Sequence, residues 1–444
     1  MRVIVVGAGE VGSSIAASLA DSHEVVVIDI DRDRVEALTY SLDVLAIEGD
    51  GADLDTLREA GIEQTDMVIA STDDDETNIV TCGTVKTTSD AFTIARVKNT
   101  KYLTTWQSKE GAFGVDFLVC TDLLTAESIV RVVGLPATQD VDAFAGGSVL
   151  MAQFGISSES PITGQTIRDA DRFDSLTFAA ILRGDEVVIP RGETTIETDD
   201  QVIVIGSPES VRGFAMELAP GQGGNGQDVV IIGGSEIAFQ TARLLEARGF
   251  HPRLIEDREA RALDLAEKLP NTTVMQSDPT DIEFLTREMV GEADIVIAGL
   301  ESDERNLLAS LLAKRLGAKR TVAIVDAGEY VDLFEAVGVD VAVNPREATA
   351  EEITRFTRDE QAENVALIES DRAEVLEFEI KAESVLAGRP IQESVADLPE
   401  GVVIGAVTRD NRMITPRGDT VIEVNDHVVL FVDHDAIDAV TASV

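Results

Sequence analysis

The chain has 444 residues, 44% of them hydrophobic, with 2 cysteines, 4 histidines and a formal net charge of −46. That length calls for several cores. So little Cys and His leaves no metal-ligand spacing and implies a reducing compartment, with Cys82 and Cys120 read as structural thiols.

The acidic charge is spread evenly and no basic face can be drawn, which speaks against nucleic-acid binding. It reads as adaptation to a salt-rich cytoplasm, where self-repulsion is screened, as in a halophile. The N-terminus enters a strand directly, without a signal-peptide pattern. No apolar run approaches the roughly 18 residues of a membrane span. A cytoplasmic location is expected, with any membrane role arising by docking.

In chain order, β-branched runs predict strands at Arg2–Val6, Glu24–Asp29, Val44–Glu48, Met67–Ala70, Phe92–Val97 and Phe117–Val119. Helices are expected between them at Glu10–Ala20, Asp53–Ala60 and Asp74–Lys86. Such alternation implies a parallel sheet covered on both faces. Strands at Val229–Ile232, Arg253–Glu256, Thr273–Gln276, Ile295–Ala298 and Thr321–Val325 repeat the arrangement. Motifs recur with it: VIVVGAGEVG (3–12) answers VVIIGGSEIA (229–238), and Asp75–Glu76–Thr77–Asn78 answers Asp303–Glu304–Arg305–Asn306.

A smaller module follows each unit, and these also match. Gly164–Ile167 corresponds to Gly388–Ile391, Ile189–Gly192 to Thr415–Gly418, and Asp200–Ile205 to Asp426–Phe431. Each reads as a short helix followed by three strands. The fold class is therefore α/β: a tandem duplication of a Rossmann-like parallel-sheet domain followed by a small α+β domain, in the order A–B–A′–B′. The expected boundaries are 1–134, 135–218, a glycine-rich linker at 219–227, 228–358 and 359–444.

Gly7–Ala8–Gly9–Glu10–Val11–Gly12 is a complete G-x-G-x-x-G between a strand and a helix. Gly7 permits the turn, Gly9 admits a pyrophosphate to the backbone, and Gly12 lets the helix pack close. The helix N-terminus offers N–H donors to phosphate. Asp29 ends the next strand, where a carboxylate accepts from ribose hydroxyls and repels a 2′-phosphate. NAD or NADH is thus expected over the phosphorylated forms, while ATP and ADP offer the same ribose.

In the second half Gly233 is kept, but Ser235 and Ala238 replace the other two loop glycines. Glu256 retains the carboxylate. Weakened binding, altered preference and a packing role all remain open there. Asp50 and Asp278 end the third strands, as ligand contacts or helix caps. Arg96 closes the fifth strand, where a guanidinium can reach phosphate, and its counterpart is Ile324. Asp73, Asp74 and Asp75 read as an acidic helix start and not as a metal site.

With MRVIVVGAGEVG, VVVIDID, Gly49–Asp50–Gly51, Ile94–Ala95–Arg96–Val97 with Tyr102–Leu103, and the duplicated order in view, the chain resembles TrkA-type regulatory subunits of Trk/Ktr potassium uptake systems. Their modules are the RCK (KTN) N-domain and the TrkA C-domain. The resemblance implies a ring of identical subunits beneath a TrkH-like membrane potassium transporter, responsive to NAD, NADH or adenine nucleotides. By motif the nucleotide role falls to Gly7, Ala8, Gly9, Glu10, Val11, Gly12, Asp29, Asp50 and Arg96. In the second half it falls to Gly233 and Glu256. A nicotinamide-dependent oxidoreductase is the main alternative, but it needs a proton donor such as His, Lys or Tyr beside the reacting carbon. A regulatory subunit of a different cation transporter is the other.

Overall fold

The computed structural model describes residues 1–444 apart from positions 21, 110, 136, 159, 185, 220–226, 359–363, 369–371, 400, 410–411 and 442. The linker expected at 219–227 falls almost wholly outside the described residues. Two compact units form, one from 1–129 with 228–354 and one from 130–227 with 355–444. Each unit thus combines one piece from either half of the chain.

The strands in chain order are β1 (Arg2–Val6), β2 (Glu24–Asp29), β3 (Leu45–Glu48), β4 (Met67–Ala70), β5 (Phe92–Val97), β6 (Phe117–Cys120), β7 (Thr138–Phe144), β8 (Val149–Gly155), β9 (Leu176–Arg183), β10 (Glu186–Val188) and β11 (Gln201–Gly206). The second half supplies β12 (Val229–Ile232), β13 (Arg253–Glu256), β14 (Thr273–Gln276), β15 (Ile295–Ala298), β16 (Arg320–Ile324), β17 (Val341–Val343), β18 (Asn364–Ile368), β19 (Ala373–Glu379), β20 (Val402–Arg409), β21 (Arg412–Ile414) and β22 (His427–Asp433).

In the first unit two parallel sheets repeat one order, β3-β2-β1-β4-β5-β6 and β14-β13-β12-β15-β16-β17. Val3, Ile4 and Val5 of β1 and Val230, Ile231 and Ile232 of β12 are fully buried, as strands covered on both faces must be. The order reverses between β1 and β4, so a crevice opens beyond their carboxyl ends. The helices start where side chains satisfy their first amides. Asp31, Asp53 and Asp74 cap helices Arg32–Ser41, Leu54–Glu59 and Asp75–Val85, and Ser235, Asp281 and Ser302 do so in the second half. The strand Val341–Val343 completes the second sheet, and sequence reasoning had left it out. Only three residues long, it carries too short a pattern to stand alone.

The second unit differs from expectation in its sheets. Among the described residues each small domain has five antiparallel strands, in the orders β10-β9-β11-β8-β7 and β18-β19-β22-β20-β21. The helix followed by three strands is present, but a hairpin precedes it in each module. Its first strand in the first half reads TQDVDAF, with little intrinsic β propensity, and pairing with β8 decides its state. One face of the two sheets shares a core built from Phe144, Met151 and Ile205 together with Val375, Ala406 and Phe431. Gly405 fits there because a Cβ would stand 2.4 Å from Ile205 Cδ1. On the outer face of the first sheet, helix Pro208–Leu218 inserts Phe214 edge-on to Phe154 with ring centroids 5.1 Å apart.

The repeated Asp200 and Asp426 are explained by one ion pair used twice, a buried carboxylate held by a half-buried arginine. Asp200 takes a two-pronged contact from Arg183, 2.8 Å at each oxygen, and Asp426 takes one from Arg409 at 2.7 Å. Among the described residues no helix is long and apolar enough to cross a membrane.

Candidate functional site: the crevice above the first parallel sheet

A cavity of about 820 Å³ lies at the carboxyl ends of β1 and β4. Gly7, Ala8, Gly9, Glu10, Val11, Asp29, Asp50 and Arg96 all line it. Gly12, the remaining first-half residue singled out in the sequence, stands behind the loop. A Cβ at Gly12 would come within 1.8 Å of the Gly7 carbonyl oxygen, so its role is close packing. Gly7 has φ of +104°, a conformation that favours glycine.

Gly9 differs from both. A Cβ there would meet nothing nearer than the Arg34 Nη1 atom, at 3.6 Å. No protein atom explains the bare backbone, whereas a phosphate drawn up to the loop would. The residues present therefore fit a dinucleotide or an adenine nucleotide.

Asp29 is 8% exposed. Its two carboxylate oxygens accept from Ala8 N at 2.5 Å and from Asp31 N at 2.7 Å. The carboxylate thus ties the glycine loop to the end of β2 and retains lone pairs for hydroxyl donors in the cavity. Asp50 accepts from Ala52 N at 2.9 Å, and Asp53 is the residue that caps the following helix. Asp50 is thereby freed of the capping role weighed for it.

Arg96 is 3% exposed and held on three sides. Its Nε donates to Thr121 Oγ1 at 3.2 Å, and its Nη1 to Ser71 O at 3.5 Å and to Asp73 at 3.4 Å. Burial pulls the guanidinium below its usual value, opposed by Asp73. Burial pushes Asp73 the other way, but Lys98 and Arg96 outweigh it and hold the carboxyl below the usual range. The acidic helix start has structural duties: Asp74 caps, and Asp75 accepts from Lys98 N and Asn99 N.

Sequence reasoning did not assign a role to the repeated asparagine. Asn78 accepts from Thr72 N at 2.9 Å and donates to the carbonyls of Thr72 and Arg96, fixing the loop after β4 against the end of β5. Asn306 does the same with Leu300 and Ile324. The signal was present in the matching DETN and DERN. Also missed were Arg34 and Arg346, which line the cavity.

The second loop is built differently. Gly233 keeps its turn with φ of +105°. Ser235 Oγ accepts from Ala238 N at 3.2 Å and so becomes a helix cap. Ala238 is accommodated by Gly299, which stands where the first half has Ser71. Glu256, 2% exposed, accepts from the backbone and side chain of Arg258 at 2.9 and 2.8 Å. Its Oε2 lies 2.5 Å from where a Cβ on Gly234 would stand. The longer acid thus reaches into its own loop. Both cysteines are buried, and burial raises the thiols to about 12 at Cys82 and about 11 at Cys120, which leaves them unreactive at neutral pH.

Comparison with known proteins agrees with this architecture. The TrkA-N domain profile matches residues 3–120 and 229–345, and the TrkA-C domain profile matches 151–219 and 375–444. The chain is similar to Trk system potassium uptake protein TrkA homolog 1 of Methanosarcina mazei, 35% identical over 439 residues and 97% of either chain. It is 37% identical over 440 residues to the TrkA homolog of Archaeoglobus fulgidus, across 99% of each. With TrkA of Halomonas elongata it shares 33% identity, over 97% of this chain and 96% of that one. In fold it is similar to the GsuK RCK domain, with a TM-score of 0.61 at 19% identity, across 100% of this chain and 95% of that chain. The GsuK channel bound to NAD gives the same score and identity, with 100% and 78% covered. The duplicated sheets and their glycine loops are those of the TrkA family of Trk system potassium uptake proteins, to which this chain belongs.

Proposed function

We propose that the chain is a cytoplasmic nucleotide-sensing regulatory subunit that binds NAD or NADH, with ATP and ADP as competing ligands, and gates a TrkH-like membrane potassium transporter as a ring of identical copies. The observation that carries the nucleotide reading is the bare Gly9 backbone facing the cavity, with Asp29 at one side and Arg96 at the other. The loop amides and Arg96 would hold the pyrophosphate, and Asp29 the ribose. The curated relatives carry the name of a potassium uptake system, and one solved neighbour in fold is a channel bound to NAD. A ligand can gate only by binding two arrangements of the halves with different affinity.

Catalysis is the weaker reading, because among the described residues that line the cavity the proton-transfer groups are carboxyls, with no His, Lys, Tyr or Cys beside them. Titration calorimetry of the full chain in molar KCl with NAD, NADH, ATP and ADP, beside Asp29→Ala, tests the proposal. Saturable binding lost in the variant supports it, and no binding of any of the four overturns it.

A further inference from the structure

The helix Pro345–Arg358 begins in the second half, yet its first turn serves the first site. Asn344 Oδ1 accepts from Arg346 N at 2.8 Å and from Glu347 N at 3.0 Å, and Pro345 presets the opening turn. Arg346 is fixed by this cap and lines the cavity that holds Gly9 and Arg96. Its Nη1 stands 2.5 Å from Glu10 Oε1, at the start of the helix that the glycine loop opens. Thr349, one turn on, meets Thr121 hydroxyl to hydroxyl at 3.0 Å, and Thr121 in turn accepts from Arg96. Two guanidiniums, one from each half, therefore line one cavity with the glycine loop.

The reciprocal position carries the opposite charge. Cys120–Thr121–Asp122 aligns with Asn344–Pro345–Arg346, so Asp122 opens the helix Thr121–Gly134 where Arg346 opens its counterpart. Asp122 lies close enough to Glu236, the counterpart of Glu10, to feel its charge. The second loop also has Ile324 in place of Arg96, and Glu256 reaches into it. At the first crevice the other half brings an arginine, and at the second it brings an aspartate beside Glu236, where the cation at the loop is the second half's own Arg261, donating to the Gly234 carbonyl oxygen at 2.8 Å.

We propose that Arg346 is a phosphate-binding residue of the first site supplied by the second half, and that Asp122 at the equivalent position closes the second site to anions. One nucleotide per chain then bridges the halves, and its phosphates compete with Glu10 for Arg346. This rests on the nucleotide reading of the first site and adds to it where the phosphate charge is met.

The test is competitive binding of adenosine, ADP and NAD to the full chain in molar KCl, for wild type, Arg346→Gln, Arg346→Lys and Asp29→Ala. At that salt long-range attraction is screened and direct contacts dominate. Arg346→Gln is expected to weaken ADP and NAD about tenfold, the scale of one charge-assisted contact, and to leave adenosine unchanged. Arg346→Lys is expected to recover most of the loss, and Asp29→Ala to weaken all three ligands. Binding of ADP by Arg346→Gln at wild-type affinity would overturn the inference while leaving the nucleotide reading intact. A fall in adenosine affinity equal to that for ADP would assign Arg346 a merely structural role and overturn it too. Two equal sites per wild-type chain would overturn the part given to Asp122. A wild type that binds none of the three removes the nucleotide reading, and this inference with it.

Discussion

Thr121 and Thr349 meet hydroxyl to hydroxyl at 3.0 Å, and both side chains are buried. Each sits on the helix that leaves the last strand of its own parallel sheet, so the contact joins the two halves. Thr121 also accepts from Arg96 Nε, which makes the pair a link between cavity and partner sheet. Thr349→Val keeps shape and removes one hydroxyl, with an expected cost of about 1 kcal/mol. Thr121→Val is expected to cost more, about 2 kcal/mol, because a buried guanidinium loses an acceptor. Urea unfolding in molar KCl measures both. The double variant should fall short of their sum, since the residues share one network.

Gly9→Val separates ligand space from packing. Its Cβ has room, with the nearest protein atom 3.6 Å away, so the melting temperature should move little. The same side chain stands where a pyrophosphate must approach, and NAD and ADP binding should be abolished. Gly12→Ala is the contrasting variant. Its Cβ would meet the Gly7 carbonyl oxygen at 1.8 Å, and it should lower stability as well as binding. Thermal melts beside titrations distinguish the two glycines. Equal destabilisation by both would make the loop a packing device.

Much of this was legible because the repeat is written in local signals. The strand ends, the glycine loop, Asp29 and Arg96 each follow from a pattern within a few residues, and the cavity collects them. What escaped was set by partners distant in sequence. The hairpin strand TQDVDAF is a strand because β8 pairs with it. Arg346 reads as an ordinary charge in a helix start, and only the packing of one half on the other brings it to Glu10. Glu256 matches Asp29 by position, but its extra methylene carries the carboxylate into its own loop, which a motif does not register.

Asp122 gives a pH dependence of known sign. Burial, then the charge of Glu236, raises its carboxyl to about 6; Asp75 adds to the rise, and Lys98 and Arg96 oppose it. A carboxyl raised on folding contributes stability that is complete below its unfolded value near 4 and is lost as pH rises through about 6. Asp122→Asn should therefore be more stable than wild type at pH 7.5, by about 2 kcal/mol after discounting for partial exposure. The difference should vanish by pH 4. Denaturant midpoints of the two proteins across that range check it, and a difference independent of pH would point to lost contacts instead.

Salt dependence follows from 82 acidic side chains against 36 basic ones. Self-repulsion opposes the compact state, and screening relieves it. The Debye length falls from about 10 Å at 0.1 M to about 3 Å at 1 M, beyond which little further screening is available. The melting temperature should rise by a few °C over that interval in KCl, at about 1 °C per kcal/mol in a chain of 444 residues, and then level off. In the Arg183–Asp200 and Arg409–Asp426 pairs the carboxylates are buried and take two hydrogen bonds each, so these contacts should weaken less with salt than pairs exposed on both sides. Calorimetric scans in KCl, repeated with a non-ionic osmolyte at matched water activity, separate charge screening from general strengthening of burial. An equal rise with the osmolyte would remove screening as the cause.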